Sequence, residues 1–519
     1  MIIAGVGLTV LAVLVVGIVV AKKVDGDSAN YLVAGRSLGV PLVAIALCTA
    51  AVDSNATVGN TDLSASFGFW AGASLALGLA ICLLLAGLFL AAPMNRIGLF
   101  TLGDFFARRY TRPVEVGASA LMIFAFTILL GGNLIACGFL LEHFLDVPYA
   151  VGVVVCAGLV LAYTIGGGLY SDAYASVIQG AITVVATFSL LVWVASSYGI
   201  VIPEGMGPFD VGQLTDPAQG APVNWATLVS LGIGDLVAVD FMQRIFGAKT
   251  PAAAKRACFI GAGATAAIGV VWSLVALSAT SVLGLTPDAG PVMYQLMSDH
   301  APAVISVLVL SGVVAASFST ASGAILATAA IAVRNIAGVR REVEPGHADP
   351  LLRWTRVAMV PILGIGVLLA VRVHHTGILL TLAFDIMLAA LIAPFLLGLF
   401  WKRSTSTAAL VGMGTGLVVR VGLLAVTPTL YGVDNTLLYV PNTLVTAAFD
   451  GWATFVAFGL GAGAFVVTAL LTRNRAEEEV DLRHVDRFAL AEVGAAADVR
   501  LPAPAGEVDL RLARERSVR

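Results

Sequence analysis

The chain has 519 residues, 59% of them hydrophobic and only 12% charged, with a mean hydropathy of +0.96. Soluble domains carry about 25% charged residues, so this composition excludes a soluble enzyme and predicts an all-α integral membrane protein. The net charge of −3, without a basic groove or interleaved aromatic and basic residues, excludes a nucleic-acid partner.

Windows of about 20 apolar residues mark membrane helices. About thirteen follow in chain order, at roughly 2–21, 40–67, 70–93, 114–141, 148–167, 173–198, 223–246, 253–284, 301–333, 353–371, 377–400, 406–427 and 451–472, numbered first to thirteenth. The first has the length of a signal peptide, but its charges, Lys22 and Lys23, follow the apolar run instead of preceding it. With the N-terminus outside, alternation puts Arg96, Arg108, Arg109, Arg112, Arg244, Lys249, Arg334, Arg340 and Lys402 on the cytoplasmic side. The opposite loops (60–70, 142–148, 199–222, 285–300 and 428–450) hold no Lys or Arg. The positive-inside rule therefore predicts a plasma-membrane protein with its N-terminus outside and C-terminus inside.

The second span breaks its own pattern. Asp53, Ser54, Asn55, Thr57, Gly59, Asn60, Thr61 and Asp62 interrupt a segment flanked by apolar runs. An ionisable residue at membrane depth costs ~2.5–3.5 kcal/mol on insertion scales. Unwound backbone there survives only when buried in protein or lining a wet cavity. A polar, glycine-interrupted span is thus a pointer to a transporter's binding site. Polar packing between helices would give the same residues a structural role. Five spans later the seventh, NWATLVSLGIGDLVAVDFMQRIFG, is also polar and glycine-broken, with Asp235 and Asp240. Two interrupted helices in corresponding places are what an inverted five-plus-five repeat brings to a central site.

The remaining punctuation is plainer. Residues 290–300 read as a short amphipathic helix over the outer face, and Asp62 as a capping or solvated residue. Gly166-Gly167-Gly168 lacks the GxxxxGK[ST] phosphate-loop pattern and reads as a tight turn between the fifth and sixth spans. Arg244 is expected to anchor the inner end of the seventh span to backbone or acids. His374 and His375 fall in an outer loop, and residues 473–519 turn charged and Ala/Pro-rich, as in a disordered tail. Cys48, Cys82, Cys137, Cys156 and Cys258 are odd in number, without CxxC spacing, and read as small core residues. No HExxH, GxSxG or paired-carboxylate signature suggests catalysis.

Several segments resemble the sodium:solute symporter family: YLVAGRSLG (31–39), TLGDFFARRY (101–110), AYTIGGGLYSDAYASVIQGAI (162–182), FMQRIFGAKTPAAAKRA (241–257) and SGVVAASFSTASGAIL (311–326). The resemblance covers about residues 1–472. It implies a LeuT-type core of the second to eleventh spans with peripheral helices on either side. The organisation expected is 1–39 (first peripheral helix and loop), 40–198 (first repeat), 199–400 (outer loop and second repeat), 401–472 (peripheral helices) and 473–519 (tail). It also implies a sodium site of backbone carbonyls at Thr49 and Val52, the carbonyl of Ala316, and the hydroxyls of Ser319 and Thr320. Neutral hydroxyl and carbonyl oxygens suit a hard monovalent cation, and the end of a half-helix adds negative potential.

The sequence departs from the family pattern where a second sodium binds in some members. Ser176 stands three residues before Gln179, where those members have Asp, and Gly323 replaces a serine, although Ser322 remains. Asp172, one turn before Ser176, is either a partial substitute or a cap. One sodium per cycle is expected. Asp53, next to Val52, has three competing roles: sodium contact, solute hydrogen bonding, or proton acceptance. With Ser54, Asn55 and Thr57 it forms the expected solute or coupling set, joined by Asp235 and by Asp385 on the eleventh span, each of which has structural pairing as its alternative. The expected function is sodium-coupled import of a small polar solute by alternating access. A proton-coupled carrier using Asp53, and a sensory or channel-like membrane protein, are the alternatives. The sequence fixes neither the solute nor the oligomeric state.

Overall fold

The computed structural model describes residues 2–341, 349–372 and 377–472, so His374, His375 and the 473–519 tail lie outside the described residues. The described chain is mostly helical, with irregular loops at 199–211 and 435–446 and a two-stranded hairpin, Thr429–Leu430 with Val433–Asp434. Among the described residues nine helices are long and apolar enough to cross a membrane, or twelve when three bent pairs are each counted as one span. The expected thirteen further requires dividing Tyr149–Ser197. That helix is 49 residues long and leaves helical geometry at Gly168, with φ of 52° and ψ of −136°. A Cβ at Gly168 would run into the Tyr31 carbonyl, so only glycine fits this turn.

The bent pairs are Val40–Ala51 with Asn55–Phe67 (56°), Ala221–Val237 with Val239–Gly247 (48°), and Ile378–Ala390 with Ile392–Phe400 (49°). The first two are the second and seventh spans, where polar and glycine residues predicted a break. The third was not expected. Pro394 explains it, because it has no N–H for the Ala390 carbonyl four residues back.

The helix Val292–Asp299 matches the one expected within 290–300. Its first N–H donates to Asp62 Oδ1 at 2.9 Å, and Tyr294 Oη donates to the Ala136 carbonyl at 2.8 Å. Asp62 is thus a cap. All five cysteines are buried and unpaired.

Arginines tie the loops at the opposite end together. Arg109 donates to the Gly398 and Ser404 carbonyls at 2.8 and 3.2 Å, Arg341 pairs with Asp27 at 2.9 Å, and Arg36 reaches the Gly98 carbonyl. At the centre Arg334 Nε meets Asp104 at 2.9 Å, and Asn335 Nδ2 bridges Asp104 and Glu115 at 3.1 and 2.9 Å. Burial alone would push the Asp104 carboxyl up, but the charges of Arg334, Arg340 and Arg108 outweigh it and hold the group below the ordinary carboxylate range.

A depressed folded-state value means stability that is present above the unfolded value, ~3.9, and lost as pH falls through the folded one. Asp104→Asn should therefore lower the thermal midpoint in detergent at pH 7. Its disadvantage to the wild type should shrink below about pH 4; a gap independent of pH would show that Asp104 is not the ionised partner described.

Candidate functional site

The helix Val40–Ala51 ends at Val52, whose φ of −91° and ψ of 70° leave helical space. Val52 N–H still donates to the Cys48 carbonyl at 2.8 Å, so the orphaned carbonyls of the last turn begin at Thr49. Helix resumes with Asp53 as its cap, Ala56 N–H donating to Asp53 Oδ1 at 2.8 Å. In an unbroken helix that N–H would serve the Val52 carbonyl. The break thus frees a short run of backbone oxygens among fully buried residues.

The ninth span, Ala303–Ile331 continued to Ile336, meets them. Thr320 Oγ1 donates to the Ala50 carbonyl at 2.9 Å and lies 3.4 Å from the Ala316 carbonyl. Ser319 Oγ donates to Thr49 Oγ1 at 3.1 Å. Thr49, Ala316, Ser319 and Thr320 therefore lie together, none more than 2% exposed. The detail differs from expectation at Thr49: the carbonyl facing Thr320 belongs to Ala50, while Thr49 presents its hydroxyl. A helix end advances 100° per residue, so the oxygen that faces a neighbour changes within one residue, and sequence alone does not resolve that.

Beyond the break, the polar set is largely satisfied. Asp53 Oδ2 accepts from Asn55 Nδ2 at 2.8 Å and Asn133 Nδ2 at 2.9 Å, which with Ala56 N–H makes three donors. Ser54 Oγ is 3.3 Å from Asn133 Oδ1, Thr57 Oγ1 donates to the Asp53 carbonyl at 2.8 Å, and Asn55 Oδ1 accepts from Gly377 N–H at 3.1 Å. Sequence reasoning missed Asn133. Its signal was Gly131-Gly132-Asn133 interrupting the apolar fourth span, and a Cβ at Gly132 would sit 3.2 Å from Asn55 Oδ1.

The two outlying acids part company. Asp235 lies on the turn Gly234–Val237 at the break of the seventh span, 1% exposed, with the weakly donating Cys82 thiol beside it and no N–H or hydroxyl donor on either carboxylate oxygen. Asp385, expected to face the same cavity, is instead turned to the peripheral helices. Its Oδ2 accepts from Arg420 Nε at 2.5 Å, Tyr431 Oη at 2.6 Å and Thr454 Oγ1 at 2.9 Å. Tyr431 reaches it from the hairpin turn, where its φ of 52° is stabilised by N–H bonds from Tyr431 and Gly432 to Asp450. The structural alternative holds for Asp385 because three donors from distant segments converge on it.

The residues suggested as the remnant of a second ion site are also gathered. Ser322 Oγ donates to Asp172 Oδ1 at 2.6 Å, and Ser176 Oγ lies 3.3 Å from Ser319 Oγ. Arg244 stands among them, 2.9 Å from Asp172 Oδ2 and 3.1 Å from Asp240 Oδ2.

Broken second and seventh spans, with neutral oxygens gathered where the first break meets a distant helix, define a membrane transporter of the LeuT type. Within that class the chain belongs to the sodium:solute symporter family, whose model matches residues 31–416. It is 22% identical over 503 residues to the uncharacterized symporter YwcA of Bacillus subtilis, covering 91% of this chain and 94% of that protein. It is also 22% identical over 494 residues to a sodium/glucose cotransporter of Vibrio parahaemolyticus, covering 88% and 90%. In fold it resembles a Na+-coupled sialic acid symporter solved in a substrate-bound outward-open state, with a TM-score of 0.70, 17% identity, and coverage of 91% and 98%.

Removing one member of a buried ion pair strands the other, at a cost of ~3–5 kcal/mol. Arg420→Leu should destabilise the protein by about that amount in thermal unfolding, and Asp385→Leu with Arg420→Leu by clearly less. Equal losses would mean that the pair is not what anchors the hairpin.

Proposed function

We propose that this chain is a sodium-coupled symporter of the plasma membrane that imports a small polar organic solute by alternating access. The observation that carries the reading is the junction of the first break with the ninth span. Thr320 Oγ1 lies 2.9 Å from the Ala50 carbonyl and Ser319 Oγ 3.1 Å from Thr49 Oγ1. A sodium ion seated there takes oxygens from Thr49, Ala316, Ser319 and Thr320, with Ala50 and Val52 at the break supplying carbonyls. It replaces hydrogen bonds between these groups by ion contacts and holds the broken helix against the ninth span. The ion binds more tightly to the state in which both helices meet, and that differential affinity couples it to the solute pocket. The membrane potential contributes about 2.3 kcal/mol per charge per 100 mV to the drive.

In this reading residues 40–198 are the first of two inverted repeats and 199–400 hold the outer loop and the second, the N-terminus is outside and the C-terminus cytoplasmic, and one sodium moves per cycle. The chain catalyses no chemical reaction. The solute lies between the two breaks. Ser54, Asn55 and Thr57 line its first wall, while Asp235 offers it from the second a carboxylate with only the Cys82 thiol beside it. A buried carboxylate with no cation and only a weak thiol donor is costly, which suits a solute bearing an amine or several hydrogen-bond donors. Asp53 orders the break through three donors, and this opposes a proton-coupled cycle through its carboxylate.

Proteoliposome uptake of amino acids, sugars, ureas and small organic acids, under separate sodium and pH gradients, tests the coupling. Accumulation should follow sodium; uptake that ignores sodium, follows pH and disappears in Asp53→Asn would favour the proton cycle. Ser319→Ala with Thr320→Ala should raise the half-saturating sodium concentration at least tenfold, since each ~1.4 kcal/mol of lost binding is a factor of ten. An unchanged sodium curve would remove the assigned site.

A further inference from the structure

The loop between the twelfth and thirteenth spans is built as the cap of a helix end, and two asparagines pin it there. Asn435 Nδ2 donates to the Leu424 and Thr427 carbonyls at 2.7 and 3.0 Å, and Asn442 Nδ2 to the Val426 carbonyl at 2.7 Å. Val440 N–H donates to the Ala425 carbonyl at 2.7 Å and Thr427 N–H to the Leu423 carbonyl at 3.0 Å. The last four carbonyls of the helix Ser406–Val426, which have no donor inside it, are therefore all answered by protein groups. The oxygens of the same asparagines fix the loop's own shape. Asn435 Oδ1 accepts from the Leu437 and Leu438 N–H groups at 3.1 and 3.3 Å, and Asn442 Oδ1 from those of Leu444 and Val445 at 3.0 and 2.9 Å.

Held in this way, the loop turns apolar side chains outward. Leu438 is 47%, Val440 58% and Leu444 90% exposed, and no residue between 435 and 449 carries a charge. Exposed apolar groups gathered on one rigid loop mark a surface that meets something less polar than water. The neighbouring helices show what that is. Val418 and Val467 on the two spans that the loop joins are more than half exposed, as side chains against lipid are. Trp452, on the first turn of the helix Trp452–Leu471, is half exposed at the same end, where tryptophans mark the membrane interface. The loop thus continues a lipid-facing surface past the helix ends, into a layer with little water to satisfy free carbonyls. Three side chains fall well short of the ~800 Å² per partner that a stable protein interface buries, which favours lipid over a second copy of the chain.

We propose that the segment 435–445 is seated in the lipid interface, with Leu438, Val440 and Leu444 among the upper acyl chains, and that this seat braces the adjoining hairpin. The hairpin runs directly into Asn435 and carries Tyr431, whose hydroxyl donates to Asp385 on the eleventh span at 2.6 Å. The membrane surface thereby contacts a core helix through a peripheral loop, independently of ion and solute.

Nitroxide labels on Val440→Cys and Leu444→Cys, in the full chain reconstituted into phosphatidylcholine liposomes, read these surroundings directly, since the five native cysteines are buried. Both labels should collide more often with dioxygen, which concentrates among acyl chains, than with a water-soluble nickel chelate. A label on Asp434→Cys should show the reverse. Labels at 440 and 444 that meet the chelate as often as the one at 434 overturn the proposal. Spin–spin broadening that survives dilution with lipid would put a second copy on the loop, and overturns it as well. Leu438→Ser, Val440→Ser and Leu444→Ser together should speed amide exchange at Tyr431 and Gly432 severalfold in liposomes; exchange no faster than in the wild type rejects the bracing.

Discussion

Thr320 Oγ1 donates to a backbone carbonyl that the helix Val40–Ala51 leaves without an internal donor. The rest of the molecule can be understood from that contact. An interrupted helix inside a membrane protein must satisfy its free carbonyls and amides with other protein groups or with cargo. On the carbonyl side of the break Thr320 meets the Ala50 carbonyl and Ser319 the Thr49 hydroxyl, both from a helix some 270 residues away in sequence. On the amide side the partner is the chain's own Asp53, which is fixed in turn by Asn55 and Asn133. A cation can replace the first set of contacts while the second set keeps the restarted helix in place.

Among the described residues, four buried acids are answered by arginines. Asp385 is answered by Arg420, Asp104 by Arg334, and Asp172 and Asp240 by Arg244. Three of these pairs join separate helices: Asp385–Arg420 core to peripheral helix, Asp104–Arg334 the helix Gly103–Arg109 to the inner end of the ninth span, and Asp172–Arg244 sixth span to seventh. Asp235, at the second break, has no cation and no N–H or hydroxyl donor on its carboxylate, only the Cys82 thiol beside it. The contrast separates acids held by arginines from one that the proposed function assigns to the solute.

Much of this was legible in the sequence because membrane burial makes polar residues conspicuous. Eight polar or glycine residues within 53–62 announced the first break, and Gly232 and Gly234 beside Asp235 announced the second. The third break was overlooked because Pro394 was read as part of an apolar run. Asp385 illustrates a harder limit. Its partners lie 35, 46 and 69 residues further on, in a peripheral helix, a hairpin and the last span. No local pattern reports such a convergence. The same holds for Arg244, whose place beside Ser319 depends on how far the inner half of the seventh span reaches into the bundle. Which carbonyl faces Thr320 depends on helical phase at a frayed end, so the difference between Thr49 and Ala50 was beyond a reading of spacing.

The central claim is that an alkali-metal ion sits where the first break meets the ninth span. A high-resolution structure determined in sodium, compared with one in a large organic cation that cannot enter, tests it most directly. The account predicts a density peak present only in sodium, about 2.3–2.6 Å from Ser319 Oγ, Thr320 Oγ1 and the carbonyls at the break, as for oxygens around a hard cation. No peak there at saturating sodium, or a peak that ignores these oxygens, would contradict it.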